Sequence, residues 1–204
     1  MIRLFHVSHK NSSGEGLFRD LFLHVAPGDL ALVSGPSASG KSTLLRLIRG
    51  LEEPDSGTIR IGGGLSWCSP ELSLIPDRTL KANILLVLRG RGLGAGYARA
   101  ESQRVLDEAG LAGSGDLLPS ALSSGERLRL LLILSVHPEP KALLVDDLDG
   151  SLRGDQASRA RRGLVDLAGR GAAVLASTSR PEAWDGTPCR HWVLAEGQLK
   201  EEPL

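Results

Sequence analysis

The segment that most restricts this chain runs from Leu30 to Arg49. Leu30-Ala31-Leu32-Val33 is a short unbroken apolar run, and Gly35-Pro36-Ser37-Ala38-Ser39-Gly40-Lys41-Ser42 follows it. Next come Leu44, Leu45, Leu47 and Ile48 on one helical side, with Arg46 and Arg49 on the other. The apolar run reads as a strand covered on both faces, and the later spacing as an amphipathic helix. A Gly-x4-Gly-Lys-Ser loop between a strand and a helix is a P-loop in its required context. Its glycines let backbone N–H groups converge on phosphate oxygens without a Cβ in the way, and the helix N-terminus adds its dipole. Residues Gly35 to Thr43 therefore form the candidate nucleotide cradle. Lys41 is expected to reach the β- and γ-phosphates, and the Ser42 hydroxyl to ligate Mg²⁺. The competing reading, a glycine-serine turn that happens to carry a lysine, gives no reason for the flanking strand and helix.

Around this segment the chain alternates. Ile2–Val7 and Leu17–Val25 read as strands, Pro27-Gly28-Asp29 as a turn, and Thr58–Ile61 as a strand entered through Pro54-Asp55-Ser56-Gly57. The middle section reads as helices at Thr79–Arg89, Tyr97–Ala109 and Ser124–Val136, the last stopped by Pro138 and Pro140. Gly90–Gly96 is expected to be a disordered loop, as are Glu201–Leu204. The final third returns to strand Ala142–Val145, helix Asp155–Ala168, and strands Ala172–Ala176 and His191–Ala195, with a hairpin turn at Glu196-Gly197-Gln198. Strand-helix alternation around an all-helical insert predicts an α/β core, about 1–69 and 141–204, with a helical subdomain at about 70–140.

Composition narrows the partners. Basic and acidic residues balance at 24 each, and aromatics make up only 3%, so neither charge nor base stacking argues for nucleic acid. No targeting segment is read at the start of the sequence, and the longest apolar stretch, Leu130–Val136, is too short for a membrane span. Cys68 and Cys189 read as buried thiols, and the five histidines share no ligand spacing. Trp67, Trp184 and Trp192 read as packing residues beside strands.

Two further motifs carry chemistry. Ala142-Leu143-Leu144-Val145-Asp146-Asp147 is an apolar strand ending in two carboxylates. Beside a P-loop strand, Asp146 would hold the Mg²⁺ hydration shell and Asp147 would face the attacking water. Taken alone the pattern is common, because strands often end in acidic turns. Leu122-Ser123-Ser124-Gly125-Glu126 opens a helix, and alone it is an ordinary N-terminus with a serine cap and Glu126 in the first turn.

The order of P-loop, helical insert, Leu-Ser-Ser-Gly-Glu and acidic strand resembles the nucleotide-binding subunits of ABC transporters over essentially the whole chain. The resemblance implies an ABC-type P-loop core with an N-terminal antiparallel β subdomain and a helical subdomain, using ATP and Mg²⁺. It also implies that Leu122, Ser123, Ser124, Gly125 and Glu126 act across a sandwich dimer on the γ-phosphate held by the partner. Within the family the sequence is most similar to cell-division ATP-binding proteins of the FtsE type. That likeness rests on Met1–Ser8, on Gly35-Pro36-Ser37 with Lys41–Arg46, and on Leu74-Ile75-Pro76-Asp77-Arg78-Thr79. The last stretch would sit where the helical subdomain meets an FtsX-like transmembrane partner, so the resemblance implies a cytoplasmic, peripheral subunit of a homodimer or heterodimer. Haem-exporter and lipoprotein-release subunits share the rest of the pattern.

Four departures bear on hydrolysis. The position of the adenine-stacking aromatic is Asn11, with Phe18 as an off-register substitute. The Q-loop glutamine falls on Pro70, beside Glu71, and proline offers no side-chain polar group and no N–H. Asp147 stands for a glutamate; one methylene less can misplace a water by about an ångström, at a cost on the order of a hundredfold. Ser179 stands for the switch histidine and brings no protonation change near neutral pH. Arg153 replaces the aspartate of the dimer-contacting loop, and Gly62-Gly63-Gly64 shortens the excursion before the next strand. Arg127 and Arg129 are either a solvated face or part of the dimer seam. Two functions stay open: a slow ATPase working through Asp147, or a non-hydrolysing regulatory subunit, including the degenerate half of a heterodimer. A P-loop kinase or GTPase is remote, since neither a guanine-reading Asn-Lys-x-Asp nor a basic lid motif is found.

Overall fold

The computed structural model of the protein describes residues 1–11, 13–69, 74–147, 149, 152 and 154–204. In chain order its elements begin with β1 (Ile2–Lys10), β2 (Gly16–Val25), β3 (Leu30–Ser34), α1 (Lys41–Arg49), β4 (Ser56–Ile61) and β5 (Leu65–Cys68). Three helices follow: α2 (Leu80–Gly90), α3 (Ala95–Glu108) and α4 (Ser124–Ser135). The chain ends with β6 (Ala142–Val145), α5 (Gly154–Gly169), β7 (Ala173–Thr178), β8 (Arg190–Ala195) and β9 (Gln198–Glu201). These elements divide between two compact units, Met1–Trp67 with Lys141–Leu204, and Cys68–Pro140.

The first unit holds two sheets. One is antiparallel, in the order β2-β1-β4; the other has six strands, in the order β5-β6-β7-β3-β8-β9. In the larger sheet β3 runs parallel to both β7 and β8, and β6 runs parallel to β7. Every residue of β3, β6 and β7 is buried, which explains why these segments read as continuous apolar runs rather than alternating ones. β1 alternates instead, with Ile2, Leu4 and Val7 inward and Arg3 and Phe5 outward. Its register shifts between Leu4 and Val7, where His6 has a φ of 54°, as at a β-bulge. Leu44, Leu45, Leu47 and Ile48 of α1 join one buried cluster with residues of both sheets, so the helix behind the glycine-rich loop is anchored on its apolar side. Gly50 closes α1 in the left-handed region, and Arg46 and Arg49 lie in its last turn, where the helix dipole favours cations.

The second unit is helical. Thr79 caps α2 by accepting from the Ala82 N–H at 3.2 Å. The buried Asn83 side chain accepts from the Ile75 N–H and donates to the carbonyls of Ile75, Arg78 and Thr79. The Pro76–Thr79 turn is therefore held by one amide that both accepts from and donates to its backbone. His137 sits between Glu101 (2.5 Å) and Glu108 (3.0 Å), a polar cluster within this unit.

The α/β core, the antiparallel N-terminal sheet and the helical unit agree with the fold class expected from the sequence. Two local expectations do not hold. Gly90 ends α2 and Ala95-Gly96 open α3, so the expected glycine-rich loop shrinks to residues 91–94, closed by hydrogen bonds from the N–H groups of Arg91, Gly92 and Leu93 to the end of α2. Glu201 belongs to β9, and its carboxylate pairs with Arg190 at 2.9 Å. No helix among the described residues is long and apolar enough to cross a membrane.

Candidate functional site

The glycine-rich loop leaves the C-terminal end of β3 and enters α1. A Cβ on Gly35 would lie 2.2 Å from the Leu194 carbonyl oxygen on β8, so only glycine lets the chain turn away from the sheet there. Gly40 has a φ of 98°, and a Cβ on it would meet the Phe18 ring at 2.8 and 2.9 Å. Ala38, at φ 63°, bears the same left-handed conformation without being glycine, a strain that recurs in loops shaped around ligands. The Lys41 ammonium folds back to donate to the carbonyls of Gly35 (2.8 Å) and Pro36 (2.9 Å). Burial lowers its pKa, while Asp147 and Asp146 oppose that shift. The Ser39 hydroxyl is buried with no hydrogen-bond partner among the described residues.

Across from the loop, β6 delivers Asp146 and Asp147. Asp146 is buried and accepts from the Ser177 hydroxyl at 2.6 Å. Asp147 has a φ of 44° and donates its N–H to the same Ser177 oxygen at 3.1 Å. Its Oδ1 is buried without a partner among the described residues. Burial, then Asp146 and Asp149, push the Asp147 carboxyl above the usual carboxylate range, against Lys41 and Arg180. A half-buried carboxylate with one oxygen unsatisfied can accept a proton or hold a water.

These groups share one cleft of about 450 Å³. Ser37, Ala38 and Gly40 to Thr43 form one wall, Asp146 and Asp147 the second, and Ser179 with Asn11 and Leu17 close the rest. Backbone donors and an ammonium facing two carboxylates suit a polyphosphate with a hard cation. Mg²⁺ needs only one or two protein oxygens when phosphates and water complete its shell. The Ser42 hydroxyl and the Asp146 carboxylate, both on this cleft, fit that requirement.

Asn11 does line the cleft, but its Oδ1 accepts from the N–H groups of Ser13 (3.0 Å) and Glu15 (2.9 Å), an internal loop clasp rather than a flat stacking surface. Phe18 cannot stand in for it. The ring is 1% exposed and packs beneath Gly40, so Leu17 is the apolar side chain that the cleft presents. Pro70, Glu71 and Arg153 lie outside the described residues.

In the helical unit, Ser123 and Glu126 form a reciprocal capping box at the start of α4. Ser123 Oγ accepts from the Glu126 N–H, and Glu126 Oε2 accepts from the Ser123 N–H at 2.9 Å. The bond from the Ser123 hydroxyl, then the one from its backbone, holds the Glu126 carboxyl below the usual range. Leu122 is buried, while Ser123 and Ser124 are exposed. Arg127 is exposed and donates to the Pro119 carbonyl, whereas Arg129 is half-buried against Gly110.

Sequence reasoning gave no role to Ser177, Asp149, Thr178 or Arg180, and read Trp184 only as packing. Asp149, 1% exposed, accepts from Arg161 (2.9 Å), Thr178 (3.0 Å) and Trp184 Nε1 (2.6 Å), and its carbonyl accepts from Arg180. Their common signal, polar residues next to buried apolar runs, is too ordinary to single them out.

Comparison with known proteins fits this geometry. The ABC transporter family model matches residues 18–149. The lipoprotein-releasing system ATP-binding protein LolD 1 of Rhodospirillum rubrum is 32% identical, over 89% of this chain and 89% of that protein. The Fe(3+) ions import ATP-binding protein FbpC of Rhizobium etli is 38% identical over 66% of this chain, which spans only 42% of that relative's length. Among solved structures, a dimeric ATP-binding cassette in a post-hydrolysis state bound to ADP and Pi superimposes with a TM-score of 0.89 at 21% identity, covering 100% of this chain and 99% of the other. An ATP-binding subunit of an ABC transporter gives 0.88 at 21% identity, covering 100% and 90%. The chain belongs to the ABC transporter family, as one of its P-loop nucleotide-binding subunits.

Proposed function

We propose that the protein is the ATP-binding subunit of an ABC-type membrane complex, binding MgATP in this cleft and passing the change to a transmembrane partner. The observation that carries the reading is the meeting of Lys41, Ser42, Asp146 and Asp147 around one cleft, with Asp147 Oδ1 buried and without a hydrogen-bond partner among the described residues. Backbone N–H groups of residues 35–43 cradle the phosphates. The Lys41 ammonium exchanges the carbonyls of Gly35 and Pro36 for phosphate oxygens, a better match for a cation. Ser42 and Asp146 hold Mg²⁺, which neutralises phosphate charge when bound. Asp147, with its raised affinity for a proton, is the residue that accepts one from water. Leu122–Glu126 acts on the site of a partner subunit in a sandwich dimer. The capping box orients it by fixing the first turn of α4.

Hydrolysis on this reading is slow, because Asp147 is short for its task and Ser179 carries no titratable group. Steady-state ATP turnover by the purified chain is the test. It should be low but measurable, and should fall further in Asp147→Asn; turnover unaffected by that substitution removes Asp147 from the mechanism. The second reading is a non-hydrolysing regulatory subunit or the degenerate half of a heterodimer. Ser179 on the cleft and the retained Leu122–Glu126 favour it, and added ATPase activity on mixing with a partner subunit would establish it.

The membrane partner follows from the subfamily. The opening Met1–Ser8 and the stretch Leu74–Thr79 support an FtsE-type subunit in cell division with an FtsX-like partner, placed on the cytoplasmic face of the plasma membrane. A lipoprotein-release role is the competing assignment, favoured by the likeness to the Rhodospirillum rubrum protein over 89% of both chains. Co-purification with an FtsX-like membrane protein separates the two.

A further inference from the structure

Residues Ser177 to Arg180, at the end of β7, are tied at three of four positions to Asp146–Asp149. Ser177 Oγ donates to Asp146 and accepts from the Asp147 N–H, at 2.6 and 3.1 Å. Thr178 Oγ1 donates to Asp149 Oδ2 at 3.0 Å and accepts from the Arg180 N–H at 3.0 Å. The Arg180 guanidinium donates to the Asp149 carbonyl. The remaining position, Ser179, is the one that lines the cleft.

Asp149 is the hub of this lacing. A carboxyl group that is 1% exposed needs hydrogen-bond partners for its oxygens inside the protein. Here the donors come from three separate places: Arg161 on α5, Thr178 at the end of β7, and Trp184, itself fully buried in the short 3-10 turn Pro181–Trp184. Three donors from independently anchored segments leave the carboxylate one position. Its backbone lies two residues beyond Asp147, and its partners Thr178 and Arg180 bracket Ser179. Asp149 is thus hydrogen-bonded to both neighbours of Ser179 and is not itself among the residues that line the cleft.

We propose that Asp149 is a positioning residue that sets the placement of Ser179 relative to Asp147, and so lets the cleft distinguish a nucleoside triphosphate from a diphosphate. The proposal rests on the reading of the cleft as a MgATP site. The glycine-rich loop and Lys41, which make no hydrogen bond to Asp149, serve both nucleotides. Asp146, Asp147 and Ser179 form the side of the cleft left for the terminal phosphate.

The test is binding of MgATP and MgADP to wild type, Asp149→Asn and Thr178→Val, with melting temperatures measured alongside. Asparagine keeps the size of the side chain but replaces one acceptor oxygen with a donor. Thr178→Val removes one donor and leaves the carboxylate, which guards against a folding failure in Asp149→Asn. Wild type is expected to bind both nucleotides. In Asp149→Asn the MgADP Kd stays within about twofold while the MgATP Kd rises about tenfold or more, the size set by a lost hydrogen bond to a charged group. Thr178→Val shifts the ratio in the same direction by less. An unchanged ATP-to-ADP ratio in both variants overturns the positioning role, as does a parallel loss of both nucleotides together with melting temperature. A wild-type chain that binds neither nucleotide overturns the MgATP reading itself.

Discussion

Replacing Gly40 with alanine tests whether the loop is held by the sheet beneath it as well as by its own backbone. Gly40 and Gly28 share a φ of 98°, but their surroundings differ. A Cβ at Gly28 meets nothing within 4 Å, while at Gly40 it would lie 2.8 and 2.9 Å from the Phe18 ring and 3.3 Å from a Leu17 methyl. Gly28→Ala therefore incurs only the left-handed conformational penalty, about 1 kcal/mol. Gly40→Ala adds overpacking against a ring that is 1% exposed and has little room to move, roughly another 1–3 kcal/mol. For a chain of this size each kcal/mol is worth about 2–4 °C. Thermal unfolding without nucleotide should thus fall by about 2–4 °C for Gly28→Ala and about 5–15 °C for Gly40→Ala. Phe18→Leu supplies the cycle: the double variant with Gly40→Ala should lose clearly less than the sum of the singles, since the smaller side chain relieves the clash. Equal losses for the two alanines, or strict additivity with Phe18→Leu, would refute the contact.

Four shorter predictions follow from the same structure. The raised Asp147 pKa means that folding favours the protonated carboxyl, so its contribution is full below the ordinary aspartate range and lost as pH rises through the raised value. Asp147→Asn should therefore melt above wild type at about pH 7, by a margin that shrinks toward about pH 4, and modestly because the group is partly solvated; a lower melting point for the variant at neutral pH contradicts this. Ser177→Ala removes partners from both Asp146 and Asp147 and should weaken Mg²⁺-dependent nucleotide binding about tenfold while leaving Mg²⁺-free binding nearly unchanged; titration with and without Mg²⁺ reads it. Ser123→Ala breaks the capping box and should lower the melting point by about 2–4 °C, with Ser123→Asp restoring most of it. Burial pushes the Cys189 thiol up to about 11, so alkylation of the native protein at about pH 8 should be slow and should quicken on denaturation.

The parts of the site that could be read from the sequence are those made by local chain geometry. A covered strand, a glycine-rich turn and a helix N-terminus leave a contiguous signature; β3, the loop and α1 follow in that order, and Ser37, Ala38 and Gly40–Thr43 line one cleft with Asp146 and Asp147. The parts that could not be read depend on which strands become neighbours. Phe18 looks like a candidate stacking ring until β2 carries it beneath Gly40. Trp184 looks like simple packing until its indole N–H meets Asp149, 35 residues away. The extent of β9 beyond the hairpin turn escapes notice because it is a short edge strand whose Lys200 and Glu201 break any apolar pattern, as edge strands commonly do. The glycines of residues 90–96 read as loop because glycine is a poor helix former. Gly90 closes α2 and Gly96 sits in the first turn of α3, where that penalty is smallest.

Calorimetric titration of MgATP into the purified wild-type chain and into Lys41→Ala addresses the central claim most directly. Lys41 is the one ammonium on the cleft among the described residues, hydrogen-bonded to the loop carbonyls of Gly35 and Pro36 and sharing the cleft with Asp146 and Asp147. Its loss should leave the fold intact, because its side chain is only half-buried and joins no apolar cluster. Wild type should bind MgATP saturably, and Lys41→Ala should bind it at least about tenfold more weakly at unchanged melting temperature. Equal affinity in the two proteins, or no binding by wild type, would contradict it.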